Sequence, residues 1–120
     1  MNPAKENLIL KLSFEFSLGI IAFSEKLREH KKYEMASQIF RSGTSIGANV
    51  HEAQNAESRA DFIHKCKIAA KEADEVLYWL LLCEKSEFYS RPGQLLFDQL
   101  KSITLILSKI ISSSKKKSAN

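Results

Sequence analysis

Residues 41–54 read RSGTSIGANVHEAQ, Arg41 to Gln54, and this stretch decides the fold. Apolar residues recur at Ala36, Ile39, Phe40, Ile46, Val50 and Ala53, the spacing of one helical stripe. Ser42, Gly43, Thr44, Ser45, Gly47 and Asn49 interrupt the same turns. Within a helix Gly costs about 1 kcal/mol relative to Ala, and Ser or Asn compete for backbone bonds. Small side chains let a second backbone approach closely, and polar ones there need partners. The pattern predicts a helix at a crowded helix–helix contact.

Working outward, three further helical patterns flank this one. The first takes Asn2 as N-cap and Pro3 as its first helical residue and runs to about Glu29. His30-Lys31-Lys32 links it to the second, about Glu34 to Asn55. Ser58 caps the third, with Asp61 three residues on, and that helix continues to about Lys85. A link from Ser86 to Pro92 precedes a fourth helix over about Gln94 to Ser112. The expectation is an all-α, antiparallel up-down-up-down four-helix bundle over residues 1–112, with a disordered basic tail over 113–120.

Composition agrees with one small core. A chain of 120 residues buries roughly two-thirds of its unfolded surface. Four Gly and two Pro leave few turns for an all-β fold. Of the net charge of +4, three units come from Lys115, Lys116 and Lys117, leaving 15 basic against 14 acidic residues in the body. That is weak bulk evidence for a polyanion partner. Cys66 and Cys83 lie in one helical segment, roughly 25 Å apart at 1.5 Å per residue, beyond disulfide reach. They read as buried thiols in a reducing cytoplasm. Leu8 to Phe23 is apolar but interrupted by Lys11 and Glu15, and no small-residue cleavage site follows, so neither a signal peptide nor a membrane span is expected.

The first helix carries two apolar stripes. Ile9, Leu12, Phe16, Ile20, Phe23 and Leu27 line one side; Leu10, Phe14, Leu18 and Ile21 line another roughly 150° away. In the third, Phe62, Cys66, Ala69, Ala73, Val76, Leu80 and Cys83 form a bundle seam, and Leu77 to Leu82 is apolar all round. One stripe suffices for a monomer. The second predicts either a locally thick core or a face buried in an oligomer.

Chemical motifs are sparse. Gly43-Thr44-Ser45-Ile46-Gly47 matches G-x-S-x-G, but a nucleophile elbow needs a preceding strand and a supporting sheet. The same residues fit Gly-x-x-x-Gly, whose content is close helix approach. No Glu-x-x-His pair of a di-metal bundle is present; Asp61-x-x-His64, with His51 across the hairpin, is the nearest pattern. No phosphate loop, Cys-x-x-Cys pair or dinucleotide turn occurs, so neither a cofactor nor an enzymatic activity is expected. Basic residues gather at Lys26, Arg28, Lys31 and Lys32, diluted by Glu25, Glu29 and Glu34, and more cleanly at Arg59, Lys65, Lys67 and Lys71. The second group is the better candidate for nucleic-acid contact, competing with a merely solvated face.

The run Arg41-Ser42-x-x-Ser45-Ile46-x-x-Asn49-Val50-x-Glu52-Ala53, preceded by Gln38, resembles the signature of the four-helix-bundle family that includes proteins encoded in 23S rRNA intervening sequences. Asp61-Phe62, Ile68-Ala69, Lys71-Glu72-Ala73 and Glu75 followed by Tyr78-Trp79-Leu80 resemble that family's third helix. The resemblance implies a non-enzymatic homo-oligomeric ring, a pentamer, related to the accessory variability determinant of diversity-generating retroelements. It implies association with RNA or DNA, or with a ribonucleoprotein. A protein-only interaction module stands as the alternative.

If the second and third helices form a hairpin turning near Ala56, residues whose numbers add to about 113 face each other. That places Arg41 beside Glu72 and Gln38 beside Glu75, and Arg41 is expected to pair with Glu72 or Glu75 in a structural, buried ion pair.

Overall fold

Helices form where the apolar stripes run between capping and turn residues: α1 (Pro3–Glu29), α2 (Tyr33–Ala53), α3 (Arg59–Lys85) and α4 (Gln94–Ala119). The structure, a computed structural model, describes the backbone of residues 3–119 and the side chains of residues 8–116. Pro3 opens α1, while the Asn2 cap lies outside the described residues. Ser58 caps α3 in extended conformation, its Oγ accepting from the Asp61 N–H at 3.0 Å. Asp61 in turn accepts from the N–H of Glu57, the residue before the cap, at 3.2 Å, which ties the incoming chain to the first turn. Gly93, at φ +90°, turns the chain into α4 in a conformation that disfavours a side chain.

Two boundaries differ from expectation. α2 stops at Ala53, and the Gln54 and Asn55 N–H groups close tight turns onto the carbonyls of His51 and Glu52. More consequentially, residues 113–119 are helical and not a disordered tail. Ser114 continues the buried stripe of Leu107 and Ile110, and Lys115 and Lys116 stand in the closing turns, where cations oppose the negative end of the helix dipole.

The turn between α1 and α2 is a Schellman motif. The Lys31 N–H donates to the Arg28 carbonyl at 2.8 Å and the Lys32 N–H to the Leu27 carbonyl at 2.9 Å, with Lys31 left-handed at φ 62°. Glycine is the usual residue at that position. A side chain there costs about 1 kcal/mol.

Each helix packs against its neighbours in sequence, and α4 closes back on α1, giving the up-down-up-down bundle, 51 Å long and 22 by 19 Å across. Phe16, Ile20 and Leu27 of α1 meet Ile39, Ile46 and Val50 of α2, Val76 and Leu80 of α3, and Leu100, Ile103 and Leu107 of α4 in one core. Each such side chain contributes roughly 1.5–3 kcal/mol on burial.

The polar residues of α2 find their partners within the helix itself. Ser42 Oγ donates to the Gln38 carbonyl and Thr44 Oγ1 to that of Phe40, both at 2.7 Å, and Asn49 Nδ2 donates to that of Ser45 at 2.8 Å. Ser45 does the same toward Arg41. The crowding comes from the glycines instead. A Cβ on Gly43 would lie 2.8 Å from Ile20 Cγ1 and Cγ2, and one on Gly47 would lie 3.3 Å from Ser17 Oγ and 3.4 Å from the Ser13 carbonyl oxygen.

Candidate functional site

Arg41, near the middle of α2, reaches across to α3. Its guanidinium donates to Glu72 Oε2 at 3.2 Å and to Glu75 Oε2, and Glu75 also accepts from the Trp79 indole N–H at 3.1 Å. The expected pairing is present, but its environment is not the expected one. The Arg41 side chain is 50% exposed and those of Glu72 and Glu75 are 20% and 35% exposed. Solvent screening reduces the network to about 1 kcal/mol, against the 3–5 kcal/mol of a buried pair. What the network fixes is the Trp79 ring, because a single carboxylate holds both the guanidinium and the indole. Gln38 meets Trp79 along one cleft.

The remaining signature residues divide by role. Ser42 is buried, Gly43 is buried against α1, Gly47 is half-buried there, and Ser45 and Asn49 are half-buried on α2. Glu52, at the exposed end of α2, lies 3.9 Å from Lys65 Nζ. The pattern G-x-S-x-G therefore runs through the middle of a helix, with its serine bonded to its own backbone, and the nucleophile elbow is not formed. Among the described residues no three His, Cys, Asp or Glu side chains converge.

The basic residues of α3 do not act as one patch. Lys65 turns toward α2 and Glu52, about 160° around the helix from Lys67. Arg59 sits exposed in the first turn. Lys67 and Lys71 share the outer face, and Lys67 meets a residue from the far end of the chain, Lys115 of α4. The Lys115 amine, hydrogen-bonded and like-charged, holds Lys67 below the ordinary lysine range. His64 lines the same shallow hollow. Tail and α3 therefore contribute to one basic surface, a convergence that the α4 extension creates.

Among the described residues two apolar faces lack any covering element. Phe14, Leu18 and Ile21 on α1 are 66%, 54% and 40% exposed. On α3, Leu80 is buried and Trp79 half-buried, while Leu77, Tyr78, Leu81 and Leu82 face outward. Of the second stripe of α1, Leu10 packs half-buried against the core, whereas Phe14, Leu18 and Ile21 stand outside it. Among the described residues no helix is long and apolar enough to cross a membrane.

Against this geometry, a sequence family matches residues 5–113, all four helices together with the α2 signature. The chain belongs to the 23S rRNA-intervening sequence protein family. A solved structure from Bacteroides thetaiotaomicron, described as a protein of unknown function from the S23 ribosomal protein family, superposes with a TM-score of 0.84 at 42% identity. The match covers 90% of this chain and 98% of that one, so the family bundle spans the whole of the relative. No curated protein matches the chain.

Proposed function

We propose that the protein is a non-enzymatic homo-oligomeric scaffold, a five-membered ring of bundles, that associates with nucleic acid or a ribonucleoprotein. The uncovered apolar surface carries this reading. Among the described residues eight large apolar or aromatic side chains, on separate faces of α1 and α3, are more than a third exposed in the single chain, and uncovered faces of that kind favour association. The nucleic-acid half of the reading is supported by Lys67, Lys71 and Lys115 on one surface and by the family's name. A ring repeats that surface, so modest charge on each subunit sums to a field that attracts phosphates. Contacts of this kind recognise backbone and tolerate sequence.

Light scattering with in-line titration of single-stranded RNA tests both halves. The wild-type chain should give a mass several times that of one subunit, and Phe14→Glu with Leu18→Glu should lower it. RNA retention should fall steeply between low and physiological salt, and Lys67→Glu with Lys115→Glu should abolish it. A monomer at micromolar concentration refutes assembly. An oligomer that retains no RNA at low salt leaves a protein-only interaction module.

A further inference from the structure

We propose that the cleft at the α1–α2 link end of the bundle binds a nucleobase carrying a phosphate. This surface is separate from Lys67 and Lys115, and its occupancy does not depend on the assembly reading. The cleft measures about 640 Å³, within the range of small-ligand sites. Its aromatic walls come from three elements: Tyr33 at the start of α2, Trp79 on α3 and Tyr89 in the α3–α4 link. Flat rings from separate elements form a stacking platform for a planar heterocycle. Glu34 and Gln38 stand in the same wall, a carboxylate and an amide able to accept from and donate to a base edge.

The charge lies where a phosphate would sit. An adjoining hollow shares Tyr33, Glu34 and Tyr89 with the cleft and adds Lys31 and Lys32. The Lys32 ammonium is 5.9 Å from the centre of the Tyr89 ring. Lys31 is the independent observation. It occupies the left-handed position of the Schellman turn, where a glycine would close the same two hydrogen bonds without strain. A cation is thus held at the mouth of the aromatic cleft at the expense of stability, the arrangement expected where strain accompanies function. Trp79 is also preset. Glu75, anchored by Arg41, engages its N–H and so fixes the orientation of the half-buried ring at the cleft.

Trp79 is the sole tryptophan, so its fluorescence reports on this cleft alone. The full-length protein is titrated at low salt with AMP, adenosine, inorganic phosphate and a ten-residue oligoadenylate. Saturable quenching is expected with AMP or the oligonucleotide, weaker quenching with adenosine and none with inorganic phosphate. Tighter binding of the oligonucleotide assigns the cleft to a nucleic-acid strand; equal or weaker binding assigns it to a free nucleotide. Tyr89→Ala should weaken binding about tenfold by removing a stacking face. Lys31→Gly should weaken it about fivefold while raising Tm, since the turn is relaxed and a charge-assisted contact is lost. Lys67→Glu with Lys115→Glu should leave AMP quenching intact, which separates failure here from failure of the RNA surface. No saturable quenching by AMP or the oligonucleotide overturns the proposal, as does quenching that neither Tyr89→Ala nor Lys31→Gly alters.

Discussion

Replacing Gly43 by alanine puts one methyl group where α1 and α2 touch. The added Cβ would lie 2.8 Å from two carbons of Ile20, itself wholly buried, so neither the backbone nor the side chain has open space to enter. Overpacking of this kind costs roughly 1–3 kcal/mol, and the helix-propensity gain of Gly→Ala recovers about 1 kcal/mol. A net loss of up to about 2 kcal/mol follows, read by urea denaturation followed by circular dichroism. Gly47 differs. Its Cβ would sit 3.3–3.4 Å from Ser17 and Ser13, a contact relieved by a few tenths of an ångström, so there propensity offsets crowding and Gly47→Ala should be close to neutral. Ile20→Ala supplies the control. On its own it should cost about 2–5 kcal/mol, but in that background the Gly43→Ala penalty should vanish, because the clashing carbons are gone. An equal Gly43→Ala penalty in both backgrounds, or a Gly43→Ala variant more stable than wild type, would refute the packing argument.

Arg41→Ala should lower Tm by only about 3–5 °C, the reach of a half-exposed network worth about 1 kcal/mol, and should shift Trp79 emission because Glu75 is released. Ser58→Ala removes the α3 cap and should cost about 1 kcal/mol in urea unfolding. Burial pushes the Cys83 thiol from 9.0 up to about 11, so at pH 8 about one molecule in a thousand carries the thiolate, and a disulfide reagent should label Cys83 only on unfolding. In the unfolded chain that thiol ionises first. The stability it confers is therefore complete below about pH 9 and should decline as pH rises toward 11, a trend measurable by urea midpoints.

The Arg41 partners were legible because a hairpin of known turn position fixes which residues face each other over three turns of helix. Glu72 obeys that arithmetic, and Glu75 lies one helical turn further along the same face. Their exposure was not legible, since it depends on how far a seven-atom side chain runs along the surface before meeting its partner. Helix starts followed local chemistry, as at Ser58. The end of α4 did not, because a run of Ser and Lys has no apolar period and only packing of Ser114 against the bundle shows that the stripe continues. Once that helix was missed, the meeting of Lys67 with Lys115 could not be found, for the two are 48 residues apart in sequence. The polar stretch of α2 pointed correctly to close packing, but through its glycines; its hydroxyls turned inward on their own backbone.

The cyclic order of the helices bears on how the chain folds. Three of the four interfaces join elements separated by a short link, so each forms as a local hairpin with little loop entropy to overcome. The fourth, between α1 and α4, joins opposite ends of the chain and must wait for the other three. It is therefore the seam that forms late and opens early, and backbone amides along it should exchange with solvent ahead of those between α2 and α3. An α1 released at that seam exposes its inner face together with the outer stripe of Phe14, Leu18 and Ile21. Exchange of that helix between bundles then becomes a route by which subunits could interlock.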